Sequence, residues 1–129
     1  MPNALKTFEE NFIHPTQLKV IKDLSRGEEG EYFKSKMNEL AQLVDGMPKT
    51  YEQDGMGDDA VVYLHYFYGG MDWYITEKDM EDEQYQAFGY VKGQSSELGY
   101  VSLVEILGGK YPVELDLYFE PKKLSEVKN

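Results

Sequence analysis

Apolar side chains recur at helical spacing in the first third of the chain and at strand spacing through most of the rest. Leu18, Ile21 and Leu24 form a stripe that Arg26-Gly27 ends. His14-Pro15 disfavours helix ahead of it and Thr16 offers an N-cap, so the spacing predicts a helix over about 17–26. Phe33, Met37, Leu40 and Val44 then recur at intervals of four, three and four until Asp45-Gly46-Met47-Pro48 stops the pattern, which predicts a second helix. Joined through Gly27-Glu28-Glu29-Gly30, the two make a helical hairpin whose apolar faces need a second layer to cover them.

After an acidic stretch, Glu52 to Asp59, whose glycines and aspartates predict a flexible loop, the period falls to two. From Ala60 to Tyr68 both alternating faces are apolar or aromatic, the pattern of a strand covered on both sides. Gly69-Gly70 supplies a turn, and Met71 to Thr76 reads as the antiparallel partner. The like charges of Glu77 to Glu83 form a solvated connection, and Tyr85 to Val91 a third strand. Past a turn at Gly93 to Ser96, Tyr100 and Val101 suit an extended chain, whereas Ser102 and Glu105 match a capping box followed by a one-sided helical turn, Leu103, Ile106 and Leu107, that Gly108-Gly109 closes. Val113 to Phe119 is apolar at every odd position, a half-exposed strand that Pro121 ends before a Lys-rich tail expected to fray. The fold class is therefore α+β: an N-terminal helical hairpin packed with a mostly antiparallel sheet of about four strands and one short helix.

Length fits this architecture in a single domain, 1–129, with 1–48 as the helical hairpin and 51–127 as the sheet-rich region. Cysteine is absent, which removes disulfides, thiolate nucleophiles and Cys-based zinc sites, and suits a cytoplasmic location. Met1 to Lys6 lacks the long apolar run of a secretory signal and no later stretch approaches a membrane span, so a soluble protein is expected. The net charge of −11 is uneven: residues 1–50 hold seven Lys/Arg against eight Asp/Glu, residues 51–129 six against sixteen. Such a field repels phosphate backbones and attracts a basic protein.

Five segments, "YEQDGMGDDAVVYLHYF", "DWYITEKD", "AFGYV", "ELGYVSLVEI" and "LDLYFEPKKLSE", follow one another in an order and spacing that resemble domain-of-unknown-function family 2958. The likeness spans about residues 51–127, with the hairpin as an N-terminal extension. It implies an accessory protein of phages, plasmids or other mobile elements, and it carries over no catalytic residue.

Candidate chemistry is sparse. Asp54, Asp58 and Asp59 crowd carboxylates into one loop, the ligand type a calcium or magnesium ion takes, but without EF-hand spacing. A solvated acidic turn is the simpler reading; the alternative is a small metal-dependent hydrolase using these aspartates with His65. His65 lies inside a strand, where a hydrogen-bonded imidazole is the ordinary explanation, and His14 precedes a proline. Glu120-Pro121-Lys122 spells the E-x-K of some nucleases but lacks an upstream aspartate at the usual distance. No phosphate-cradling loop or nucleophile elbow appears, and Ser102 already has a use as a cap. The aromatic residues point elsewhere. Tyr66, Tyr68, Trp73 and Tyr74, beside Glu77, Asp79, Glu81, Asp82 and Glu83, suit a face that binds a basic host or element-encoded protein, with mimicry of DNA as its sharper form. That reading needs no cofactor and no enzyme activity.

Overall fold

A computed structural model describes residues 4–49, 52–53, 55–79, 86–93, 96–109 and 111–128. Three helices come first: α1 (Ala4–Asn11), α2 (Pro15–Leu24) and α3 (Gly30–Asp45). Among the described residues seven strands follow: β1 (Val61–Val62), β2 (Leu64–Tyr68), β3 (Met71–Asp79), β4 (Gln86–Lys92), β5 (Ser96–Ser102), β6 (Glu114–Leu115) and β7 (Lys122–Lys123). Two short helices interrupt and end the series, α4 (Leu103–Gly108) and α5 (Leu124–Lys128). The main sheet runs β5-β4-β3-β2-β6, antiparallel throughout, and β1 pairs separately with β7. The α+β class read from the sequence is the observed one, with one strand more in the main sheet and α1 added to the helical layer.

The pairing register sorts the sheet into two faces, since directly opposed residues share a side. Leu64, Tyr66, Trp73, Ile75, Ala87 and Val101 fall on one. It packs on Phe8, Phe12, Ile21, Met37, Leu40 and Val44 of the helical layer and forms the core. His65, Phe67, Tyr74, Phe88, Tyr90, Leu98 and Tyr100 fall on the other. At Thr76 the β3–β4 register slips, so that Ile75 opposes Gly89 and Glu77 opposes Phe88. The bulge moves Glu77 to the side of Phe88 and Lys78 to the side of Ala87, and Glu77 is nevertheless buried at 5% exposure.

Local chemistry fixes the ends of the elements. The cap of α2 is His14, not Thr16: its Nδ1 accepts the Thr16 N–H at 3.0 Å, and Pro15 occupies the first helical position, where a missing N–H costs nothing. With Nδ1 accepting, the ring hydrogen sits on Nε2, which donates to the Gly109 carbonyl at 3.3 Å. The Ser102 hydroxyl accepts from the Glu105 N–H at 3.2 Å, so β5 gives way to α4 where the capping box predicts. Gly69 takes φ 57° in the two-residue turn between Tyr68 and Met71, and its lack of a Cβ permits this. At the far end of α3, Lys78 Nζ donates to the carbonyls of Val44 and Asp45. Burial pushes the pKa of this ammonium down, against the upward pull of Asp45.

Two expectations fail in the C-terminal part. The predicted strand over Val113 to Phe119 survives only as β6. Asp116 ends it by donating its N–H to the His65 carbonyl at 2.8 Å and accepting the Tyr118 N–H on its own carboxylate at 3.0 Å, a side-chain turn that bends the chain. The tail is anchored: β7 pairs with β1, the Leu124 N–H reaches the Ala60 carbonyl at 2.8 Å, and Leu124 is 1% exposed.

Candidate functional site

The side of the sheet facing away from the helices is the candidate. At its centre stands His65 on β2, its ring stacked on Tyr74 of β3 with centroids 4.5 Å apart and planes 7° from parallel. Nε2 lies 2.8 Å from Asp72 Oδ1 and Nδ1 lies 3.2 Å from Asp116 Oδ2. Both ring nitrogens thus lie within hydrogen-bond distance of a carboxylate. The Tyr74 phenol has its pKa raised, first by burial and then by the negative charges of Asp72 and Asp116.

The segment after Asp116 returns across this face. Phe119 sits 5.7 Å from His65 and 6.3 Å from Tyr74, Lys122 Nζ lies 5.1 Å over the Phe119 ring, and Lys128 Nζ lies 5.2 Å over Tyr90. Beyond this cover, towards the β5 edge, the aromatic surface continues into the open. Phe88 meets Tyr100 edge to face at 5.5 Å, and Leu98 and Tyr100 are 47% and 55% exposed. Phe67 is exposed on the opposite flank. The charges here are mixed: Asp72, Glu114 and Asp116 lie among Lys92, Lys122 and Lys128.

Of the residues proposed from sequence, Tyr74 belongs to this face. Tyr66 does not: it is fully buried, with its hydroxyl donating to the Phe12 carbonyl, because its position on β2 points it at the helices. Trp73 opposes Tyr66 and packs, half-buried, against the core. Tyr68 is exposed but on the helix-side register, 5.4 Å from Tyr111. Glu77 is buried and accepts the Gln53 N–H at 3.4 Å. Asp79 pairs through its backbone with Gln86, and its side chain lies outside the described residues, as do Glu81, Asp82, Glu83 and Asp54. Sequence reasoning passed over Phe67, Phe88 and Leu98; the alternation of β2, β4 and β5 was the available signal.

Asp58 and Asp59 sit in a single 3-10 turn, Gly57–Asp59, where Lys128 lies 2.8 Å from Asp58 and Lys123 lies 3.8 Å from Asp59. His65 is engaged instead with Asp72 and Asp116. Among the described residues no three His, Asp or Glu side chains gather as metal ligands, and no helix is long and apolar enough to cross a membrane. No family model, curated protein or solved structure matches the chain.

Proposed function

We propose that this protein is a non-enzymatic binding module of a phage or plasmid, docking a basic protein through the outward face of its sheet. The observation that carries the reading is the exposed pair Leu98 and Tyr100, with half-buried Phe88 between them and the covered His65–Tyr74 centre. Aromatic and aliphatic side chains of this kind supply contact area at low entropic cost. The net charge of −11 supports a cationic partner, acting through the field of the whole molecule, since the carboxylates on the face itself are matched by lysines. The mobile-element setting rests on the resemblance of residues 51–127 to family 2958. Clamping of both His65 nitrogens favours docking over catalysis.

DNA mimicry is the weaker form of this reading. Glu77 is buried, and the charges of Asp58 and Asp59 are met by lysines, so none of the three presents an unpaired phosphate-like charge. The test is affinity capture from host lysate at low and high salt, run in parallel with the double variant Leu98→Asp, Tyr100→Ala. A basic protein held at low salt, released at high salt and lost in the variant is the expected result. Capture that the variant leaves unchanged, while its unfolding curve matches that of the wild type, would sink the proposal.

A further inference from the structure

The residues around His65 hold a device that docking does not use. Asp72 Oδ1 stands 2.8 Å from Nε2, Asp116 Oδ2 stands 3.2 Å from Nδ1, and Tyr74 stacks against the ring. A neutral imidazole has one N–H and one bare nitrogen, whereas an ionised carboxylate only accepts. Both contacts are therefore hydrogen bonds when the ring is an imidazolium. Once the ring is neutral, one of them sets a lone pair against a carboxylate oxygen, and that contact opens.

Which contact opens follows from how each aspartate is held. Asp72 lies on β3 inside the sheet, paired with Phe67 on one side and Lys92 on the other, and has no room to retreat. Asp116 follows the two-residue strand β6 at a turn, where its Oδ1 accepts the Tyr118 N–H, and its contact with the ring is the longer of the two. From this turn the chain crosses the outward face, with Phe119 beside His65 and Tyr74, before β7 begins. We propose that His65 is a proton-operated latch: as an imidazolium it fastens residues 116–121 across the sheet, and on losing its proton it releases Asp116 and loosens this segment. The closed segment holds the additional proton, so closure is favoured at low pH and lost as pH rises. Other charged and titratable groups surround the ring without replacing it. Lys92 and Tyr90 lie opposite Asp72 and Tyr74 on β4, Glu114 lies opposite Phe67 on β6, and Lys122 and Lys128 stand over the rings of Phe119 and Tyr90. Burial and the charges of Asp72 and Asp116 push the Tyr74 phenol up, so it keeps its proton while the imidazole titrates. The latch concerns the cover alone and holds whether or not a protein docks beside it.

The experiment follows two nuclear magnetic resonance signals of the full chain from about pH 5 to about pH 9, the range in which histidine changes charge. Imidazole nitrogen shifts count the hydrogens on the His65 ring, and comparison with His65→Phe assigns them. Exchange of the Asp116 and Tyr118 amides, corrected for the intrinsic effect of pH, reports the segment. The ring should pass from two hydrogens to one, and protection of the two amides should fall along the same curve by at least about threefold, the loss of one hydrogen bond. Amides of α3 should keep theirs. The variant Asp116→Asn retains the acceptor for Tyr118 and offers an N–H to a neutral ring, so its protection should be flat with pH. Should that variant fail to fold, the wild-type comparison of ring and amides decides. The inference is overturned if the ring keeps one protonation state across the whole range, if it titrates while both amides hold their protection, or if folded Asp116→Asn follows the wild-type profile.

Discussion

Gln53 closes its carboxamide on the main chain of Val61, accepting the Val61 N–H at 2.7 Å and donating to the Val61 carbonyl at 3.0 Å. The same Nε2 donates to the Thr76 carbonyl at 2.9 Å. One side chain thus takes the place of a neighbouring strand along β1 and ties it to the bulge of β3. The substitution Gln53→Glu keeps size and shape but removes both donors and sets a second carboxylate near the buried Glu77. Buried carbonyls left without donors cost about 1–3 kcal/mol, so we expect Gln53→Glu to lower stability by at least about 2 kcal/mol in urea unfolding. A change below about 0.5 kcal/mol would mean that filling the space, not donating, is what the site requires.

Two glycines of the sheet, Gly89 and Gly99, and Gly93 just past the end of β4 test the packing more locally. A Cβ at Gly89 would lie 2.1 Å from the Tyr74 carbonyl oxygen and 3.0 Å from Ile75 Cα, both backbone atoms of β3 that cannot move without breaking the ladder. At Gly93 the nearest atom is the sulfur of the flexible Met71 side chain at 2.3 Å, and at Gly99 nothing lies within 4 Å. Gly89→Ala should therefore cost about 2–3 kcal/mol, Gly93→Ala less than about 1 and Gly99→Ala within about 0.5 of zero. Equal costs at the three positions, measured by denaturant midpoints, would contradict the close approach of β4 to β3.

The elements that could be read from sequence are those whose signals are local. The α3 stripe and the Ser102 cap each lie within a few residues, and both stand where the pattern puts them. Long-range partners carry no such mark: Gln17 bonds both main-chain groups of Leu115 across 98 residues, and nothing near Gln17 announces it. The face of β2 was ambiguous for a related reason. With apolar or aromatic residues on both sides from Ala60 to Tyr68, alternation separates Tyr66 from His65 but does not say which set meets the helices. Asp116 is a different case, since an aspartate inside an alternating run is itself a turn signal, and it outweighed the periodicity around it.

Tyr66 gives the fold an alkaline limit. Burial pushes its phenol pKa far above the ordinary value of 10.0, so above pH 10 the unfolded chain releases a proton that the folded chain retains. A raised folded-state pKa contributes stability that is complete below the unfolded pKa and is lost as pH rises, by up to about 1.4 kcal/mol per pH unit. Tyr74, also raised, acts in the same direction. Lys78 acts oppositely below 10.5, where its lowered pKa makes the unfolded chain the better proton binder. Tyr66→Phe loses the bond to Phe12 and should be less stable at pH 8 by about 1 kcal/mol. Its stability should fall less steeply from pH 10 to 11, so that the two curves converge. Parallel curves in urea unfolding at each pH would refute the assignment.

The Asp72–His65–Asp116 clamp joins β2, β3 and the turn that ends β6. Both partners of the ring are acceptors, so both bonds form together only when both nitrogens carry hydrogen. His65→Phe keeps an aromatic ring against Tyr74 while leaving Asp72 and Asp116 with no donor between them, two like charges about a third exposed. We expect a loss of about 1–3 kcal/mol, smaller at high salt because part of it is carboxylate repulsion. Replacing Asp72 and Asp116 by Asn in the His65→Phe background should recover part of the loss. Amide exchange locates the effect: the Tyr118 N–H, held by the Asp116 carboxylate, should exchange faster, while amides of α3 keep their protection. Unchanged exchange at Tyr118 alongside a global loss would show that His65 serves the sheet as ordinary packing and not as the fastening of the C-terminal segment.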